Sequence, residues 1–261
     1  MNPYGTRVPS WSQPSRHLRH HVKKIESAPA TLSHPLQALG FFRHISPDEW
    51  RRFGLIAPVH SYQPGNVIFY QGNSALGLHF LCRGRVKLIK QDSVGRCQIM
   101  RIASAPNLLG DRAFFAERPY ACTGEVMDEA DICIMEPRRF WEFFGRNTDM
   151  LRELTRKFAV ELGRAEESMH CIAVCTVNAR LATRLLTLAR MRSCFGKPVN
   201  DLILTETRME MAQVLASTPE ALSRALSAFC AKGLIAVSKQ HVRILNEARL
   251  RLIACHHGIA R

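Results

Sequence analysis

The spacing of apolar positions divides the chain into stretches of different texture. Over residues 36–53 apolar side chains recur at helical steps. Ser46-Pro47-Asp48-Glu49 has the order of a cap, a first-position proline and first-turn acids, so a short helix is expected to start there. Over 59–135 the pattern shortens to β runs cut by glycine. Pro64-Gly65 precedes Val67-Ile68-Phe69, and Gly72 follows. Residues 80–88 alternate around Gly84, with Arg85 and Lys87 on the face opposite Val86 and Leu88. Asp92-Ser93-Val94-Gly95 reads as a hairpin turn ahead of a strand at 97–102, and 131–135 as a closing strand. Strands at this spacing predict a small antiparallel barrel or jelly roll. Pro137 then opens another helix.

Residues 150–175 hold no proline and read as one long helix. Leu151, Leu154, Phe158, Leu162, Ala165, Met169, Ile172 and Cys175 recur at steps of three and four, close to a coiled-coil seam. Two partners fit such a stripe. One is the same helix of a second copy, which would make Leu151, Leu154, Phe158, Leu162, Met169 and Ile172 a dimer interface. The other is the chain's own barrel. A helix this long between two domains favours the first. A second helix follows at 178–192, closed by Gly196-Lys197-Pro198.

The next stretch has the grammar of a helical hairpin. Thr207 suits the N-cap of a short helix that buries Met211, Ala212 and Leu215, and Ala212 is small where a second helix must cross. Ser217 or Thr218 can cap that second helix, with Pro219 at its first position. It would bury Leu222, Ala225, Leu226 and Phe229 and turn Glu220, Ser223 and Arg224 outward. Residues 234–237 and 242–245, after Gly233, form a further hairpin. The fold class expected is α+β, in four parts. Residues 1–35, rich in Pro, Ser, His and Arg, are a flexible arm. Then come a barrel domain at 36–149, the long helix at 150–177, and a winged helix-turn-helix at 178–261.

Charge turns this outline toward a partner. The net charge is +14 over 261 residues, and 13 Lys and Arg against 5 Asp and Glu lie from Arg180 onward. The first 35 residues carry +4, which leaves only +2 for the long middle. A basic C-terminal part on a near-neutral body implies a polyanion there. Arg224 suits the two acceptors of guanine, Glu220 the amino group of cytosine or adenine, and Ser223 either role. Thr207, Arg208 and Thr218 at the two helix starts, with Lys239 and Arg243 in the hairpin, are candidates for phosphate contacts. An ordinary helical hairpin with a solvated face remains the alternative. Ala216 stands where glycine would ease the turn.

Other chemistries find less support. No apolar run reaches about 18 residues, so no membrane partner is expected. The first 35 residues lack the apolar stretch of a secretory signal, which points to the cytoplasm. Nine cysteines without a Cys-x-x-Cys motif argue against a disulfide framework. A jelly-roll metalloenzyme needs several histidines converging inside the barrel. That segment has only His60 and His79 and no His-x-His, so no catalytic role is expected. His170, Cys171 and Cys175 are either a redox or metal group or ordinary helix packing.

Thr207-Arg208, then Glu220-x-x-Ser223-Arg224, then Lys232-Gly233-Leu234-Ile235 resemble the DNA-binding signature of the CRP/FNR superfamily of bacterial transcription regulators. The order barrel, long helix, winged helix agrees, and the resemblance runs from about Leu36 to Leu252. It implies a homodimer joined through the 150–175 helix, with double-stranded DNA and RNA polymerase as partners and recognition helices roughly 34 Å apart. The Glu-x-x-Ser-Arg spacing is similar to the FNR branch, which implies half-sites resembling TTGA. The first cysteine is Cys82, so an FNR-type iron–sulfur cluster held by N-terminal cysteines is not expected. Haem-binding relatives place ligands near His79 and Cys82, so the resemblance implies that the two are either a haem-ligand pair or structural. In the cyclic-nucleotide branch a Gly-Glu and an Arg-Ser or Arg-Thr hold the ligand. Here Gly110-Asp111 and Arg118-Pro119 stand in those places, so Gly110, Asp111 and Arg118 are the effector candidates. Pro119 lacks the hydroxyl and the backbone donor. A cyclic nucleotide is thus one alternative, another effector or none the other.

Overall fold

The β runs pair into two antiparallel sheets because their strands bury alternate residues on two sides at once. The computed structural model describes residues 23–25, 36–43, 45–145, 147–193 and 200–254. Its first nine strands are β1 (Lys23–Ile25), β2 (Val59–Tyr62), β3 (Val67–Phe69), β4 (Leu78–Arg83), β5 (Arg85–Gln91), β6 (Cys97–Ser104), β7 (Asn107–Leu109), β8 (Thr123–Val126) and β9 (Ala130–Met135). One sheet has the order β1-β2-β9-β4-β7 and the other β3-β8-β5-β6, the jelly roll that the spacing predicted.

Gly84 decides one difference from the sequence reading. The run 80–88 is two strands, one in each sheet, with Gly84 between them at φ 88°. A Cβ at this position would lie 2.4 Å from the Glu129 carbonyl oxygen, so only glycine lets the chain cross between sheets here. The segment read as a flexible arm also departs from expectation. Its residues 23–25 form β1, paired antiparallel with β2, and its other residues lie outside those described.

The two faces of β4 feed two cores. Leu78, Phe80 and Cys82 face a layer of helices, in a core with Phe42, Phe53, Phe140 and Phe144. Leu81 faces the barrel interior with Leu109, Ile132 and Tyr120. The helical layer comprises a 3-10 turn (Gly40–Phe42), α1 (Pro47–Ile56), α2 (Asp111–Phe115) and α3 (Pro137–Phe144). Ser46 starts α1 as expected. Its hydroxyl accepts from the Glu49 amide at 3.3 Å, and the Glu49 carboxylate accepts from the Ser46 amide at 2.8 Å.

The long helix α4 (Thr148–Val174) begins two residues ahead of expectation, because the Asn147 side chain accepts from the Met150 amide at 3.1 Å. Then follow α5 (Val177–Ser193), β10 (Asp201–Ile203), α6 (Arg208–Val214), α7 (Pro219–Ala231), β11 (Ile235–Ser238), β12 (His241–Ile244) and α8 (Glu247–Ile253). The Gly196-Lys197-Pro198 stop lies outside the described residues. A separate core of Leu181, Leu185, Leu222, Phe229, Leu234 and Leu250 holds this unit together under the sheet β10-β12-β11.

Candidate nucleic-acid interface

Two capped helices carry the residues that the sequence singles out for DNA. The Thr207 hydroxyl accepts from the Glu210 amide at 3.1 Å, while the Glu210 carboxylate accepts from the Thr207 amide at 2.9 Å. The Thr218 hydroxyl accepts from the Ala221 amide at 3.2 Å, so Thr218 rather than Ser217 caps α7. Between the helices Ala216 sits at φ 48°, in the left-handed region that favours glycine. Ala216→Gly is therefore expected to stabilise the protein by about 1 kcal/mol. A urea midpoint that stays in place or falls would contradict this.

α7 buries Leu222, Ala225, Leu226 and Phe229 and leaves Glu220, Ser223 and Arg224 exposed. The three thus lie on the free face near its start, where the spacing put them. The Glu220 carboxyl is held below its ordinary range, first by its own backbone amide, then by the Thr218 hydroxyl and nearby Arg224. Arg208 is exposed in the first turn of α6, and Lys239 is exposed at φ 53° in the hairpin tip. Arg243 is partnered: its guanidinium donates to Asp201 at 2.6 and 3.1 Å.

The outer face of the barrel seats α6, a contact the sequence did not reveal. Lys87 bridges Glu125 and Glu210, both at 2.9 Å. Burial alone would raise the Glu210 carboxyl, but the bonds from Lys87 and Thr207 outweigh it and hold the group below its usual range. The Gln98 side-chain amide donates to the Gln213 carbonyl, and Arg85 reaches both Asp128 and Thr205. The alternation had placed Arg85 and Lys87 outward; what it lacked was their partners, of which Thr205 and Glu210 lie more than a hundred residues away.

The effector candidates do not form an open cradle. Asp111 is buried, and its carboxylate accepts from Lys157 of α4 at 3.1 Å and from the Arg112 amide at 3.0 Å. Lys157 also reaches Glu161 at 2.8 Å. Arg118 is exposed beside Pro119. Gly110, at φ 73°, lies against Tyr120, whose ring would be 2.8 Å from a Cβ there. Tyr120 in turn stacks on Phe69 at 4.3 Å between centroids. These residues do not fit a cyclic nucleotide as they stand, since the acid and the ring space have partners from the chain itself.

The haem reading of His79 and Cys82 fails on strand geometry. Residues three apart face opposite sides of a strand. His79 contacts Phe69 and Tyr120, whereas Cys82 lies 3.3 Å from Cys133 on the helical side. Burial, with His60 nearby, lowers the His79 pKa to about 4, so the ring is neutral. Among the described residues no group of three or more His, Cys, Asp or Glu could hold a metal. Cys171 is half-buried. Cys175 corrects the cysteine expectation in one place, because it is disulfide-bonded.

The seam of α4 divides in two. Leu154 is buried in the chain's own core, Leu151 is half-buried, and Phe158 meets Phe115 edge-on at 5.1 Å. This half packs within the chain's own N-terminal core, so Leu154 and Phe158 already have partners there. Past the barrel the stripe is uncovered, with Leu162 62%, Met169 68% and Ile172 51% exposed. Among the described residues no helix is long and apolar enough to cross a membrane.

Comparison with known proteins agrees with both halves. Residues 59–147 match the cyclic nucleotide-binding domain, and residues 179–253 match the Crp-like helix-turn-helix domain. The chain is similar to the cAMP-activated global transcriptional regulator CRP of Pasteurella multocida, 24% identical over 169 residues that span 64% of this chain and 80% of that protein. It is also similar to the CRP-like cAMP-activated global transcriptional regulator of Mycobacterium tuberculosis, 22% identical over 223 residues, 82% of this chain and 96% of that one. Among solved structures, FixK2 from Bradyrhizobium japonicum shares the fold with a TM-score of 0.67 at 22% identity, over 79% of this chain and 100% of that chain. The c-di-GMP responsive global regulator CLP of Xanthomonas campestris does so with a TM-score of 0.64 at 17% identity, over 76% of this chain and 99% of that chain.

Proposed function

Because this chain belongs to the CRP/FNR superfamily of transcription regulators, we propose that it acts as a homodimer on an inverted repeat with half-sites resembling TTGA. The observation that carries the reading is the free face of α7. Glu220, Ser223 and Arg224 stand exposed on a helix whose other face is buried and whose start is capped by Thr218. A recognition helix offers its early residues to base edges in this way. Arg208, Lys239, Thr207, Thr218 and, once released from Asp201, Arg243 are assigned to phosphates. Leu162, Ala165, Met169 and Ile172 are assigned to the second copy. RNA polymerase as a further partner and the cytoplasm as the site of action follow from the family. No catalytic role is assigned.

For the effector, the partnered Asp111 supports DNA binding that does not depend on a cyclic nucleotide. The match of residues 59–147 to a cyclic nucleotide-binding domain favours the second reading, a nucleotide-responsive regulator. DNA site selection with the purified protein, with and without cyclic AMP, tests both. The expected result is one inverted repeat, selected equally well without the nucleotide and with steep salt dependence. Sequence-indifferent binding would sink the first reading. A gain of about tenfold or more with cyclic AMP would establish the second.

A further inference from the structure

We propose that Arg180 is a positioning residue that fixes the reading head relative to the dimer seam and so sets which half-site spacing the regulator accepts. The inference rests on the homodimeric reading above. α4 ends at Val174 with Cys175 as its cap, and the chain turns through Thr176 into α5, where Arg180 lies in the first turn. One guanidinium nitrogen of Arg180 donates to the carbonyls of Ile172 at 3.0 Å and Cys175 at 3.2 Å. Its other terminal nitrogen donates to the Ala216 carbonyl at 3.3 Å. One side chain therefore spans the end of the long helix, the joint after it, and the turn between α6 and α7.

Each end of this link matters for geometry. The last carbonyls of a helix have no partner within it and carry partial negative charge, so a cation that bonds them is doubly favoured. Ile172 gives its carbonyl to Arg180 while its side chain stands half exposed on the stripe assigned to the second copy. Ala216 is the left-handed residue on which the crossing of α6 and α7 depends. A planar fork with several fixed donors can hold carbonyls from two elements at a set angle, which a lysine ammonium cannot. Among the described residues the buried Arg180 Nε has no hydrogen-bond partner, so the guanidinium is held there through these carbonyl bonds. The Lys87–Glu210 contact ties the head to the barrel, whereas Arg180 ties it to the end of the helix that carries the seam.

The test compares Arg180→Met, which keeps the stem, and Arg180→Lys, which keeps the charge, with the wild type. Affinity is measured for a single half-site and for inverted repeats whose spacing is changed by one, two and five base pairs. The wild type is expected to favour one spacing by a wide margin, since linked binding is lost when geometry forbids both contacts. In Arg180→Met the half-site affinity should stay within about twofold, while the preference between spacings falls by about tenfold or more. Arg180→Lys should fall between the two. If either folded variant keeps the wild-type spacing preference, the proposal is overturned. A uniform loss across half-site and repeats is a merely structural effect and overturns it equally. Should Arg180→Met not fold, Arg180→Lys decides by the same ratio. A wild type that prefers no inverted repeat over a single half-site refutes the homodimeric reading itself, which is a separate outcome.

Discussion

Replacing Met169 and Ile172 together with glutamate is expected to leave a folded monomer whose affinity for the full inverted repeat falls by about 100-fold or more. Both side chains are mostly exposed in the single chain, at 68% and 51%, so folding loses little when they change. In a dimer they would be buried, and each large apolar side chain contributes about 1.5–3 kcal/mol when removed from water. Glutamates there would face their counterparts across the two-fold axis, beside Glu166 and Glu167 of the same helix. Sedimentation reads the mass, and fluorescence anisotropy reads affinity for one half-site and for the repeat. Half-site affinity should hardly move. A variant that stays dimeric at micromolar concentration would refute the assignment of this stripe. Leu154→Ala makes the contrast: it should cost about 2–5 kcal/mol of fold stability and say nothing about dimerisation.

That contrast marks where periodicity stops being informative. The seven-residue recurrence along α4 is continuous from Leu151 to Ile172, yet its first half packs in the chain's own core and the large side chains of its second half stand exposed. A repeat in sequence says that a face will be covered and leaves the cover unnamed. The helix-turn-helix was legible for the opposite reason. Its caps, its crossing alanine and its buried residues are local features, each within a few positions of the next: Thr207 and Thr218 cap their helices, and Leu222 and Phe229 are buried, as expected. Ala216 was legible even as an exception, since only a left-handed residue closes that turn.

The barrel candidates fared unevenly because long-range partners decide them. Asp111 in sequence is an acid in an effector position; in the fold Lys157, 46 residues away, occupies it. His79 and Cys82 are neighbours in sequence and face opposite sides of β4. Glu210 closes the capping box of α6 with Thr207, and its other oxygen also accepts from Lys87 across 123 residues. Spacing shows local geometry and is silent on partners brought by topology. This is why the helix-turn-helix was clear from the chain while its contacts with the barrel needed the structure.

Arg224→Ala is expected to cost about 1–3 kcal/mol in binding the preferred site, roughly 5- to 150-fold, and to relax preference at a single guanine. The reason is geometric: a guanidinium can give two bonds to one guanine edge, and no other base offers both acceptors at that spacing. Glu220, one helical turn earlier, complicates the measurement. Arg224 helps hold its carboxyl ionised, so removing the arginine leaves an unbalanced negative charge facing phosphates. Glu220→Gln, alone and combined with Arg224→Ala, separates the two effects in a double-mutant cycle. The guanine preference should be lost with Arg224 in either background, whereas the general repulsion should disappear with Glu220. Arg208→Ala supplies the control. It should weaken binding to all sequences alike and reduce the slope of log affinity against log salt by about one, as expected for one lost phosphate contact. If Arg224→Ala kept the wild-type ranking of half-sites while Arg208→Ala changed it, the roles of the two arginines would have to be exchanged, and with them the orientation of α7 in the groove.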